Sequence, residues 1–205
     1  MKSVKIAFIR HSVTEWNEAG RIQGHFDSPL TEYGKELAAR WKETIEPETI
    51  DAVLTSDLGR AIETADIITE GFEVPKLHLP GLREQDWGEW SGLTTDELNE
   101  KFPGKLDAEV AKGWEFTPNS GENRIQCAQR GIRALEEGIG QIIQTVDKEE
   151  IKILAVAHEG TMKAVIYKLL DHDFMPGKEK VMKTRRLHWL NWNGKLSIES
   201  LNIKL

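Results

Sequence analysis

The chain has 205 residues, a formal net charge of −7, 39% hydrophobic and 30% charged residues, and one cysteine. That balance is globular; it excludes a disordered tail, a collagen-like fibre and a disulfide scaffold. No apolar run approaches the roughly 18 residues that a membrane helix needs. No Lys/Arg run marks a nucleic-acid surface, so neither nucleic acid nor membrane is an expected partner. The first ten residues lack the long apolar region and small-residue cleavage site of a signal peptide. The expectation is a cytoplasmic protein handling a small molecule, its assembly into a homo-oligomer left open. An anionic substrate would need a positive pocket built locally against the overall charge.

Strands and helices alternate along the chain. Val4–Ile9 is short, apolar and β-branched, as a buried parallel strand should be. Thr31–Ile45 reads as one helix, with Thr31 as N-cap and Leu37, Trp41 and Ile45 on one face. Asp51–Ser56 is a second strand, Leu58–Thr69 a helix with Ala61, Ala65 and Ile68 inward, and Lys76–Leu79 a short third strand. Residues 80–121 carry Gly, Pro, Trp and scattered charge with weak periodicity. They read as an insertion with one short helix, Thr94–Lys101. Asn123–Val146 is a long helix, Lys152–Ala157 a buried strand and Thr161–Leu170 a helix. A hairpin around Asn193-Gly194 ends the chain. The expected fold is α/β, a three-layer α/β/α arrangement. A mostly parallel sheet carries helices on both faces, an insertion over the active site and a C-terminal antiparallel hairpin, all in one domain spanning 1–205.

Ligands of open α/β sheets bind beyond the carboxyl ends of the strands. The first strand ends in Arg10-His11. The second ends in Ser56-Asp57 and leads to Arg60. The strand at 152–157 ends in His158. Three strand ends therefore offer two arginines and two histidines to one crevice. Guanidinium forks match phosphate oxygens and stay charged, and imidazole serves as nucleophile or acid–base group near neutral pH. The implied site is a phosphate pocket containing an imidazole.

Five ordered segments carry a resemblance. They are Phe8–Asn17 around Arg10-His11, Gln23–Gly34, Ser56–Ala65, Arg83–Gly92 with Glu84, and Val156–Gly160 around His158. Together they resemble the histidine phosphatase superfamily, in its cofactor-dependent phosphoglycerate mutase branch, and most closely its short broad-specificity phosphatases. The resemblance implies that His11 is the nucleophile that becomes phosphohistidine. Arg10, Arg60 and His158 would hold phosphoryl oxygens, and Glu84 would protonate the leaving oxygen and later activate water. Asn17, Gln23, Gly24, Glu159 and Gly160 are the implied substrate-binding positions. No metal and no cofactor are implied, because cationic side chains neutralise the phosphoryl charge. The implied activity is hydrolysis of a small phosphorylated metabolite. A short chain ending in a hairpin favours a phosphatase over a phosphoglycerate mutase, and the acid Glu84 argues against a non-catalytic phospho-ligand binder. Trp87, Trp90, Trp114 and Phe116 are expected near the pocket mouth, with Trp16, His25 and Phe26 as further lining positions.

Two positions depart from the family pattern: Ser12 follows the nucleophile where Gly is usual, and Glu159 follows His158 where a small residue is common. A carboxylate facing a phosphate would repel it, so Glu159 is expected to point away or to orient a neighbouring cation. Cys127 and Arg133 have the C-x5-R spacing of cysteine-dependent phosphatases. They lie inside a helical pattern, whereas that chemistry needs an anion-binding loop and a low-pKa thiolate.

Overall fold

Val4, Ile6 and Phe8 alternate with Ala7 and Ile9 along the first strand, and both sets are buried. A strand that hides both faces must lie inside a sheet covered on two sides. The computed structural model, which describes residues 2–177 and 180–205 and leaves Met1, Lys178 and Glu179 outside the described residues, has that arrangement. The elements in chain order are β1 (Ser3–Arg10), α1 (Glu15–Glu18), α2 (Glu32–Arg40), α3 (Lys42–Ile45), β2 (Ala52–Thr55), α4 (Gly59–Ile68) and β3 (Lys76–His78). They continue with α5 (Thr95–Lys101), α6 (Lys105–Val110), α7 (Arg124–Thr145), β4 (Glu150–Ala157), α8 (Glu159–Leu169), β5 (Arg186–Trp192) and β6 (Leu196–Lys204).

Among the described residues, six strands form one sheet in the order β3-β2-β4-β1-β5-β6. The first four run parallel, while β5 pairs antiparallel with β1 and β6 antiparallel with β5. Val4, Ile6 and Phe8 pack with Leu135, Ile139 and Ile142 of α7 and Met162, Val165 and Ile166 of α8. On the opposite face, Ala7 and Ile9 pack with Ala38 of α2 and Ala61, Ala65 and Ile68 of α4. The α/β/α layering and the C-terminal hairpin are as the sequence pattern anticipates.

Three expectations are corrected. The helix read over 31–45 breaks at Trp41, whose N–H is shared between the carbonyls of Leu37 and Ala38, so that α2 and α3 are separate pieces. Thr31 does cap α2, its hydroxyl accepting from the Gly34 N–H. Residues 80–121 hold a second helix, α6, which starts after Gly104 at φ +69° and rests Leu106 and Val110 on a small separate core of Trp90, Leu98 and Phe116. The breaker run Phe102-Pro103-Gly104 and a stretch with two apolar contacts hide so short a helix from periodicity. Finally, α8 starts at Glu159, two residues ahead of the predicted start.

The first turn of α2 abuts the backbone that leaves β1. A Cβ added at Gly34 would come within 2.1 Å of the Val13 carbonyl oxygen, a backbone atom that cannot step aside. Gly140 on α7 has open space around it. Gly34→Ala is therefore expected to cost about 1–3 kcal/mol, while Gly140→Ala is expected to add roughly 0.4–1 kcal/mol. Urea midpoints of the two variants, moving in opposite directions, check this.

Candidate active site

The register of the parallel strands builds the site. Arg10 pairs with Ala157, and the His11 N–H donates to the Ala157 carbonyl at 2.9 Å. Thr55 pairs with Val156, and the Ser56 N–H donates to the Val156 carbonyl. The first residues beyond β1, β4 and β2 are thus neighbours: His11, His158 and Ser56. The His11 and His158 ring centroids are 5.0 Å apart. Arg60 arrives from the first turn of α4 and is almost fully buried.

His11 is buried, and its Nδ1 lies 2.7 Å from the Ser12 carbonyl oxygen. A carbonyl oxygen only accepts, so Nδ1 carries the proton and Nε2 presents a lone pair. Burial holds the His11 pKa well below the ordinary imidazole value, and the charges of Arg10 and Arg60 push the same way. His158 is likewise held well below its ordinary value, first by burial, then by His11 and by the nearby arginines. Both imidazoles are neutral at neutral pH. His158 Nε2 is 2.6 Å from Ser56 Oγ, and Ser56 Oγ accepts from the Leu58 N–H.

The two arginines are fixed by carboxylates. Arg60 Nη1 donates to Phe26 O and Asp27 Oδ1, and Nη2 to Gly24 O at 2.9 Å. Asp27 also accepts from the Gly59 and Arg60 N–H groups at the start of α4. Arg10 Nη1 donates to Glu159 Oε2 at 2.9 Å, and Thr184 Oγ1 donates to Glu159 Oε1 at 2.7 Å. Glu159 thus orients a neighbouring cation, as expected of it. Ser12 turns away from the site: its hydroxyl donates to the Gly34 carbonyl at 2.6 Å. Among the described residues, Arg10 Nε, Arg60 Nε and His158 Nδ1 are buried nitrogens without a hydrogen-bond partner, and Gln23 Oε1 is a buried oxygen in the same condition.

Glu84 approaches from the segment between β3 and α5. Its carboxylate accepts from the Gln85, Gly160 and Thr161 N–H groups. A Cβ at Gly160 would lie 2.4 Å from Glu84 Oε1, so the missing side chain there admits the carboxylate. The Glu84 backbone is held by Arg130 on α7, which donates to the carbonyls of Gly81, Arg83 and Glu84 and pairs with Glu122. His25 Nε2 donates to the same Glu84 carbonyl at 2.9 Å. Arg83 clamps Asp57 through two hydrogen bonds and holds its carboxyl below the usual range.

One cavity of about 290 Å³ gathers Arg10, His11, Asn17, Gln23, Gly24, Arg60, Glu84, Glu159 and Gly160. His158 stands behind its wall, fully buried. Gly24 has φ +52°, and a Cβ there would meet Ser91 Oγ at 2.5 Å. Of the aromatic residues expected near the mouth, Trp87 lines the cavity, while Trp90 and Phe116 form a small separate core with Leu98. Trp114 instead packs on Phe174. Trp16 and Phe26 pack on each other, and His25 supports Glu84 from outside the lining. Missed by sequence reasoning were Ser56 and Arg130 as supports, and Arg21, Ile22, Gln85, Arg124, Lys163 and Phe174 as lining residues. Only Ser56 carried a signal, its place at a strand end. Cys127 lies buried within α7, its thiol pushed up to about 12 by burial, which suits packing and not nucleophilic attack.

Arg10, His11 and His158 at the ends of adjacent parallel strands are thus joined by Arg60 from α4 and by Glu84. Residues 6–204 match the histidine phosphatase superfamily (branch 1). The chain belongs to that family. It is 34% identical over 168 residues to a metal-independent phosphoserine phosphatase of Arabidopsis thaliana, covering 80% of this chain and 68% of that one. It is 30% identical over 169 residues to the adenosylcobalamin/alpha-ribazole phosphatase of Salmonella typhimurium, covering 82% and 80%. The solved structure of Bacillus stearothermophilus YhfR superposes on it with a TM-score of 0.82, at 28% identity over 96% of each chain.

The neutral imidazoles of this histidine phosphatase link its stability to pH. His188 on β5 is buried as well, and burial lowers it to about 4. An unfolded chain binds protons on these three rings as pH falls through the ordinary value of 6.5, while the folded chain does not. Stability is complete above that value and is lost as pH falls below it. The urea midpoint is expected to drop between pH 6.5 and about pH 5, ahead of most carboxylate titration, and the slope should be shallower in His188→Gln.

Proposed function

We propose that this histidine phosphatase hydrolyses small phosphomonoesters through a transient phosphoryl group on His11 Nε2, without a metal ion. The neutral His11, its Nε2 lone pair free and its ring flanked by Arg10, Arg60 and His158, is the observation that carries the reading. Nε2 attacks phosphorus as the ester P–O bond breaks. The leaving oxygen takes a proton from the Glu84 carboxyl. Water then attacks the phosphohistidine and gives a proton to the Glu84 carboxylate, releasing inorganic phosphate and restoring His11.

Such a transfer depends on positioning and on neutralising charge over the equatorial oxygens. The partnerless nitrogens on Arg10, Arg60 and His158 are suited to those oxygens. In this reading Ser56 Oγ donates to His158 Nε2, and the proton on His158 Nδ1 meets a phosphoryl oxygen. Asn17, Gln23 and the chain at Gly24 and Gly160 bound the space that the phosphoryl group would enter, and Glu159 sets the angle of Arg10. Supporting the reading are the names of both relatives, each a phosphatase of a small phosphorylated metabolite. We further propose that residues 80–121 form an insertion within a single domain, bringing Glu84 and Trp87 to the mouth of the site, and that the protein works in the cytoplasm.

Phosphate release with EDTA present, followed by trapping of an acid-labile label, tests this directly. Wild type should release phosphate and carry label; His11→Ala should do neither. Glu84→Gln should slow an alkyl phosphate by roughly 10²–10⁴-fold and p-nitrophenyl phosphate far less, because nitrophenolate leaves without protonation. Undiminished turnover in His11→Ala would reject the mechanism.

A further inference from the structure

Three arginines that line the cavity are each paired with a carboxylate: Arg10 with Glu159, Arg21 with Glu97 and Arg60 with Asp27. Two further cations line the same cavity and differ from them. Arg124 occupies the first position of α7, and Lys163 lies on α8 one turn beyond Glu159. Among the described residues, neither is within ion-pair distance of a carboxylate.

Both cations are held against rings. The Arg124 guanidinium sits 4.2 Å from the Phe116 centroid and 4.5 Å from that of Phe174, and its Nη1 donates to the Gly113 carbonyl. Lys163 Nζ lies 5.2 Å from the Phe174 centroid and 5.3 Å from that of Tyr167. Phe174 is thus shared by two positive groups. Each is partly desolvated: burial lowers Arg124 to about 10, and burial together with the charges of Arg124 and Lys180 lowers Lys163. The charge of Glu159 acts on Lys163 as well, but both its oxygens are engaged, one by Arg10 and the other by Thr184. Ring contacts stabilise such cations only partly, and two like charges partly out of water gain from an anion placed within reach of both.

We propose that Arg124 and Lys163, both in contact with Phe174, form a second anion subsite in the His11 cavity. The preferred substrate is then a small phosphomonoester that carries a further anionic group, such as a carboxylate, beyond the phosphate to be removed. This rests on the phosphatase reading above and narrows its substrate class. With Arg10, His11 and Arg60 engaging the phosphoryl group, the second cluster holds the other end of the molecule. Binding energy at that distance orients the ester for attack.

The test compares 3-phosphoglycerate with glycerol 3-phosphate, which differ in a carboxylate against a hydroxymethyl group. For wild type, kcat/KM should favour the carboxylate ester by about tenfold or more. Lys163→Gln and Arg124→Gln should each bring that ratio towards one, whereas Lys163→Arg should largely restore it. Should Arg124→Gln fail to fold, the Lys163 pair still reads the ratio. Calorimetric Kd values for both esters on His11→Ala measure the same preference without turnover. Equal kcat/KM and equal Kd for the two esters, or a ratio that the Lys163 and Arg124 variants leave intact, overturns the subsite. Absence of phosphate release from p-nitrophenyl phosphate rejects the hydrolytic reading instead, and the Kd ratio then decides the subsite alone.

Discussion

The hydrogen bond from the His11 amide to the Ala157 carbonyl is the joint on which the site depends. It extends the β1–β4 ladder by one step beyond Arg10, and so sets two histidines from distant parts of the chain side by side. Sheet register moves in whole residues, and a slip of one would turn each side chain to the opposite face. Such a slip would carry Lys5 onto the face of Val4, Ile6 and Phe8 and swap Phe8 for Ala7 or Ile9 against α7 and α8, so charge and side-chain size oppose it. The hydrophobic pattern of a strand thereby fixes the separation of two imidazoles.

Around that joint the protein concentrates positive charge in a chain whose formal net charge is −7. It does so with carboxylates as braces. Asp27 secures Arg60 while capping α4, Glu159 holds Arg10, and Glu122 holds the Arg130 that carries the Glu84 backbone. Each brace limits the rotamer freedom of a long cation before any ligand arrives, which is the kind of preorganisation that phosphoryl transfer rewards. Guanidinium keeps its charge even when buried. The imidazoles have no such partners, so burial and the neighbouring cations keep them neutral. One desolvated pocket thus holds charged donors and an uncharged base side by side.

The departures Ser12 and Glu159 show how local context redirects a residue. With Thr64 Oγ1 and the Gly34 carbonyl close by, Ser12 has partners on the α2 and α4 side and no reason to face the cavity. Glu159 would repel a phosphate if it stood alone, yet its carboxylate is neutralised by Arg10 and tied to Thr184. The sign of its influence follows from that neighbour and not from its own charge.

The sequence by itself determined the strand–helix alternation, the cap at Thr31 and the hairpin, because these depend on periodicity and on hydrogen bonds within a few residues. It also determined which motif residues end the parallel strands, since a buried strand announces its own end by the change from apolar to polar residues. Only the tertiary structure decided how those ends are arranged. Ser56 meets His158 across 102 positions of chain, Arg130 reaches back 46 residues to the Glu84 carbonyl, and Arg124 and Lys163 meet at Phe174 from two helices. Such contacts leave no periodic trace, because they are set by strand order and helix packing. The tautomer of His11 and the burial that keeps it neutral arise there too, as a side chain's solvation is decided by what folds over it.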